Sequence, residues 1–130
     1  MSSPHITKWH DYMKSGDLAL LQAQIHDEAV FISPVVHSPQ QGKALTMAYL
    51  SAAAHVFNPE TFRYVREFDC GSRAVLEFEC DIDGIHVNGV DMIEWDENGL
   101  ITEFKVMIRP LKAIQLIHAK MGAMLAKMKT

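Results

Sequence analysis

Ile82-Asp83-Gly84-Ile85 sets Asp-Gly between two runs of alternating apolar and polar residues, the strongest local signal for a two-residue hairpin turn of the primed type. Such a turn fixes the register. Ile82 faces Ile85, and counting outward sets Cys80 against Val87, Phe78 against Gly89, Leu76 against Asp91 and Ala74 against Ile93. On the opposite face Glu79 meets Asn88, Glu77 meets Val90 and Asp81 meets His86, because side chains alternate with a period of two. One face is therefore apolar and the other polar. Asp91 is the charged residue in the apolar line, where taking a carboxylate out of water costs several kcal/mol unless it is paired, protonated or open to a cavity.

The hairpin belongs to a larger set. From Phe62 to Arg109 four alternating runs are separated by short turns at Asp69-Cys70-Gly71-Ser72, Asp83-Gly84 and Asp96-Glu97-Asn98-Gly99, which implies an antiparallel meander. If Trp95 faces Leu100, then Thr102, Phe104, Val106 and Ile108 join the apolar face with Phe104 beside Asp91, and Glu103, Lys105, Met107 and Arg109 point outward. The strand over 62–69 conflicts with this scheme. Pairing across Cys70-Gly71 turns Phe62, Tyr64 and Phe68 outward and Arg63, Val65 and Glu67 inward. Either a bulge near Asp69 restores the aromatics to the interior, or the outer face is covered, with Phe62, Tyr64, Met92 and Met107 in a homodimer contact and Arg63 inside near Asp91.

Helices flank the meander. Ser3-Pro4 followed by Ile6, Trp9 and Met13 predicts a capped helix ending before Gly16, and Asp17 caps a second with Leu18, Leu21 and Ile25 as its buried stripe. Ala29–Ser33 reads as a first strand closed by Pro34, and Pro34–Gly42 as an ordered loop carrying His37. A long helix follows from Lys43 to Phe57, with Leu45, Ala48, Tyr49, Ala52 and Val56 as its inner face and Asn58-Pro59 as its stop. Pro110 opens a last helix in which Leu111, Ile114, Ile117, Met121, Leu125 and Met128 recur at three and four.

Composition excludes several function classes. The 130 residues suit one domain spanning 1–130, and the formal charge of −4 without a Lys/Arg stripe argues against nucleic acid or an anionic membrane as partner. No apolar run approaches the ~20 residues that span a bilayer, and the N-terminus shows no secretory pattern, so a cytoplasmic location is expected. Cys70 and Cys80 have no Cys-x-x-Cys spacing and read as reduced thiols. None of the seven histidines forms a His-x-x-x-His or His-Glu-x-x-His pair, so no metal is expected. The glycines follow no phosphate-loop or dinucleotide pattern, and no cofactor is expected.

The remaining chemistry centres on Asp91. Desolvation raises the pKa of an aspartate in an apolar cavity, and a rise of ~2 to 3 units makes it a usable acid or base near neutral pH. The natural reactions are proton abstraction next to a carbonyl, with attached isomerisation, aldol closure or dehydration. His37 is a second acid/base candidate at the rim. Trp9, Tyr12, Tyr49, Phe104 and Arg63 are candidates for lining the site and holding a small apolar molecule with an oxygen function. The competing reading makes Asp91 a structural carboxylate, paired with Arg63 or bonded by Tyr49 or Tyr12, in a non-catalytic binding or assembly domain.

Three N-terminal helical elements around a short strand, then a meander containing Ala29-Val-Phe-Ile-Ser-Pro34, Gly89-Val-Asp-Met-Ile-Glu-Trp95 and Asn98-Gly-Leu-Ile-Thr-Glu-Phe104, resemble the nuclear transport factor 2-like superfamily and, within it, the SnoaL-like branch of polyketide cyclases. The resemblance covers nearly the whole chain. It implies an α+β cone, a curved, mostly antiparallel sheet wrapped around N-terminal helices with a C-terminal helix, usually as a homodimer. It also implies that Asp91 occupies the position of the cyclases' acid/base aspartate. The chain departs from the pattern in offering Leu76, Phe78 and Cys80 where the enzymes tend to place polar companions, and Ile108-Arg109-Pro110 where an aromatic and an aspartate are common.

Overall fold

The computed structural model describes residues 3–57 and 59–128. In chain order the elements are α1 (Pro4–Ser15), α2 (Leu18–Ala23), β1 (Ile25–Ile32), β2 (Gln40–Gln41), α3 (Lys43–Val56), β3 (Arg63–Asp69), β4 (Arg73–Ile82), β5 (Ile85–Trp95), β6 (Ile101–Arg109) and α4 (Leu111–Met128). The strands make one sheet in the order β2-β1-β6-β5-β4-β3. Every pairing is antiparallel except β1 with β6. The result is the expected α+β cone, a curled open sheet with helices packed into its concave side.

The Asp-Gly turn does what its chemistry requires. Asp83 and Gly84 both take positive φ, 50° and 80°, as a type I′ turn demands, and all the pairs counted from Ile82 and Ile85 are present. Leu76, Phe78, Cys80, Val87 and Ile93 are buried on the inner face. Burial of each large aliphatic or aromatic side chain contributes about 1.5–3 kcal/mol.

Helix ends follow their caps. The Ser3 hydroxyl accepts from the Ile6 N–H, Asp17 accepts from the Ala19 N–H, and Gly16 ends α1 in the left-handed region, its N–H bonded to the Tyr12 carbonyl. Trp9, Tyr12 and Ile6 form the buried face of α1.

Several expectations change. Ile25 starts β1, four residues before the predicted strand, and Leu18 is exposed, so the second helix buries Leu21 alone of its three expected positions. In α3 the buried positions are Thr46, Leu50, Ala52 and Val56, while Leu45 is exposed; the small-residue run carries no strong amphipathic signal, so packing sets the rotation of this helix. The expected stop at Asn58 lies outside the described residues, and the α3 helix ends at Val56.

The register of β6 also differs. Trp95 pairs with Ile101, not Leu100, and an irregularity at Thr102 sets Ile93 opposite Phe104 and Asp91 opposite Val106. The accumulated offset from the expected pairing is two residues, so Phe104 and Val106 still face inward. Thr102 falls at the irregularity and bonds the Glu94 carbonyl.

Candidate active site

Strand β3 resolves its conflict by a bulge at Val65. Tyr64 pairs with Phe78, but the next pair is Arg66 with Glu77, so one extra residue separates them. A single inserted residue reverses the facing of everything on one side of it. Phe62 and Tyr64 thus turn inward, with the Phe62 ring stacked on Phe78 at 5.1 Å, while Phe68 stays outside and 57% exposed. One of the two sequence expectations placed a bulge near Asp69; the bulge lies four residues earlier, at Val65. The other expectation fails in its particulars: Phe62 and Tyr64 are unavailable to an outer-face contact, and Arg63 does not approach Asp91. Its guanidinium is solvent-exposed and ion-paired with Glu79 at 2.9 Å, because the alternation that brings Tyr64 inside sends its neighbour out.

What approaches Asp91 is Tyr64. The Tyr64 hydroxyl donates to Asp91 Oδ2 at 2.6 Å and accepts from Trp9 Nε1–H at 3.0 Å. Three elements, α1, β3 and β5, therefore meet in one hydrogen-bonded chain. Asp91 is 7% exposed, and burial raises its pKa to about 7, against the lowering effect of the Tyr64 hydrogen bond. Burial, followed by the neighbouring Asp91 charge, pushes the Tyr64 hydroxyl well above its usual range. The Tyr64 hydroxyl thus remains a donor while Asp91 titrates. Among the described residues Asp91 Oδ1 has no hydrogen-bond partner, so one carboxyl oxygen is held and the other is left to whatever enters.

That oxygen belongs to a residue lining a cavity of about 660 Å³, within the ~300–1,000 Å³ range of small-molecule sites. Trp9, Tyr12, Tyr49, Phe104 and Arg63 line it as expected, Arg63 with its guanidinium in solvent beside Glu79. Trp9 packs on Phe104 at 4.9 Å and Phe31 stacks on Tyr49 at 5.1 Å. Burial raises the pKa of Tyr12, and neither the Tyr12 nor the Tyr49 hydroxyl has a hydrogen-bond partner among the described residues. His37 is not among the lining residues. The loop contributes Ser33 to Val36, after which His37 is exposed to solvent, so its expected place at the rim is not borne out.

Tyr64 and His10 line the site without having been assigned to it from the sequence, while Glu67 faces inward as the pairing across Cys70-Gly71 predicted. His10 Nε2 contacts Glu67 Oε1 in a short hydrogen-bonded pair, and the His10 ring stands edge-on to Tyr64 at 5.6 Å. Glu67 faces α1 by its place after the bulge. The aromatics Phe62 and Tyr64 on either side of Arg63 were the available signal, since burial favours the facing that hides the rings. Among the described residues no cluster of three metal-ligating side chains occurs, and no helix is long and apolar enough to cross a membrane.

Known proteins share this architecture. A steroid delta-isomerase from Pseudomonas aeruginosa is 33% identical over 97% of each chain, with a TM-score of 0.89. A bacterial protein with a cystatin-like fold from Silicibacter pomeroyi is 31% identical over 92% of this chain and 84% of its own, at 0.85. The epoxide hydrolase/cyclase-like enzyme SalBIII shares the fold at 15% identity, 81% and 90% coverage and a TM-score of 0.62. No curated protein sequence matches. The SnoaL-like domain model matches residues 6–104, and the chain belongs to that family.

Proposed function

We propose that the cavity takes a small, largely apolar molecule carrying an oxygen function, and that Asp91 moves a proton on the carbon next to its carbonyl. The observation that carries this reading is a buried carboxyl group, its pKa raised to about 7, among the residues that line an apolar cavity. When ionised, Asp91 Oδ1 takes the proton and the carbon–hydrogen electron pair moves to the carbonyl oxygen as an enolate. Return of the proton at another carbon gives isomerisation; attack of the enolate on a second carbonyl gives ring closure, the new alkoxide taking the proton from Asp91; expulsion of a β-hydroxyl, which takes that proton and leaves as water, gives dehydration. The Tyr64 hydroxyl fixes Oδ2 and so aims Oδ1. The Tyr12 and Tyr49 hydroxyls are the unengaged donors for the enolate oxygen. Similarity to a steroid delta-isomerase supports this class of reaction.

A second reading has its own observation. The Trp9–Tyr64–Asp91 chain ties α1 to the sheet, which suits a non-catalytic binding domain with Asp91 as an anchor. A screen of cyclic ketones by thermal shift and turnover, on the native protein and Asp91→Asn, separates the two. Turnover lost with ligand binding retained supports proton transfer. An unchanged ligand response with no turnover in either protein supports the anchor.

A further inference from the structure

The rim of the cavity has a charge pattern that its interior does not explain. Besides the buried Asp91 and the tyrosines, the ionisable lining groups are His10, Lys14, Arg63, Glu67 and His118. Arg63 is paired with Glu79 and Glu67 with His10. Lys14 near the end of α1 and His118 on α4 are both exposed and lack an ion pair or hydrogen bond among the described residues. Asp11, one turn before Lys14, makes no ion pair with it. The lining therefore holds a cation and an imidazole without partners, and its rim carboxylate is already engaged. In a chain of net charge −4, this local excess does not follow from overall basicity.

Resting on the reading of the cavity given above, we propose that its ligand is an amphipathic acid: an apolar ring body with the carbon beside its carbonyl at Asp91 and a carboxylate at the mouth between Lys14 and His118. The two ends suit opposite environments. An anion placed deep in the cavity would meet the Asp91 carboxylate, whereas at the mouth it stays partly hydrated and gains a cation. Charge at the rim also steers an anionic ligand toward the opening and fixes which end enters first.

Calorimetric titration with three probes tests this: fluorenone, fluorenone bearing a carboxylate on an outer ring, and the matching carboxamide. The carboxylate is expected to bind about five- to ten-fold more tightly than the carboxamide at low salt, the scale of one or two exposed charge contacts. That ratio should fall below about two-fold in the Lys14→Gln, His118→Gln double variant and at high salt. Equal binding of acid and amide to the native protein, or a ratio that survives the double variant, overturns the proposal while neutral fluorenone still reports on the cavity. If none of the three binds, the reading of the cavity itself fails, and this proposal with it.

Discussion

The Tyr64 hydroxyl reaches Asp91 across an intervening strand: β3 and β5 are separated by β4, yet the two side chains meet at 2.6 Å. Phe78, the partner of Tyr64 on β4, leans over Gly89 on β5. The absence of a side chain at Gly89 accommodates that ring. The Asp91 hydrogen bond thus depends on a bulge, a tilted ring and a glycine.

Asp91 makes stability fall as pH rises. In the folded protein its carboxyl keeps a proton until about 7, whereas the unfolded chain releases it near 3.8. Between those values the folded state binds more protons, so stability declines through that window and levels off above it. At about 1.36 kcal/mol per unit the full effect is about 4 kcal/mol. Asp91→Asn retains an acceptor for Tyr64 and carries no charge. Urea unfolding at pH 8 should show it more stable than the native protein by about 2–4 kcal/mol, with the two converging near pH 4. A native stability that rises from pH 4 to 7 in step with Asp91 ionisation would contradict the buried carboxyl.

Tyr64→Phe acts on the same group in the opposite sense to its polarity. The Tyr64 hydrogen bond lowers the Asp91 pKa, so its removal raises the midpoint above about 7 and leaves Trp9 Nε1–H without its acceptor. A cost of about 1–3 kcal/mol is expected from the unsatisfied donor. Carboxyl titration followed by NMR should show the upward move, and any ketone turnover should shift to more alkaline pH with it.

How much of this was legible in the sequence depends on what each feature needed. The β4–β5 register followed from one turn, because a two-residue loop determines all pairs by counting, and Asp91 was thereby placed on the inner face. Trp9, Tyr12, Tyr49 and Phe104 were found because aromatics at regular spacing mark the interior. The bulge at Val65 was not locatable: no glycine or proline marks it, and it is imposed by the burial of Phe62 and Tyr64 against Phe78. Arg63 and Tyr64 exchange faces as a result. The placement of His37 failed for another reason, since the direction of a loop beyond Pro34 is set by its contacts and leaves no periodic trace. The His10–Glu67 pair joins residues far apart in sequence that only the bulged strand brings together.

His37 and Arg63 accordingly serve as controls. His37→Ala and Arg63→Ala should each change stability by less than about 0.5 to 1 kcal/mol, since one side chain is exposed and the other loses only a surface ion pair. His37→Ala should not alter ketone binding by more than about two-fold, as measured by calorimetry. A larger loss in His37→Ala would mean that the loop folds over the cavity when it is filled.

The outer face still suits a second copy of the chain, with Met107 as expected and Phe68 in place of Phe62 and Tyr64. Phe68 and Met107 are more than half exposed there, beside the cross-strand pairs Arg66–Glu77 and Arg73–Glu94. We propose a homodimer through this face, with Phe62 and Tyr64 excluded. Sedimentation at micromolar concentration should give twice the 14.6 kDa chain mass, and Phe68→Glu should return it to the monomer.

Gly89→Ala tests the tilt of Phe78. A Cβ at this position would lie 2.6 Å from the Met107 carbonyl oxygen and 2.6 Å from the Phe78 ring. Phe78 can turn, but the carbonyl belongs to the β5–β6 ladder and cannot retreat without breaking it. Overpacking of this kind costs about 1–3 kcal/mol. Chemical denaturation should show that loss. Because a displaced Phe78 ring would crowd Tyr64, the Asp91 midpoint measured by NMR should also rise toward that of Tyr64→Phe. A Gly89→Ala protein with native stability and an unmoved Asp91 titration would show that neither the close approach nor the tilted ring matters to the site.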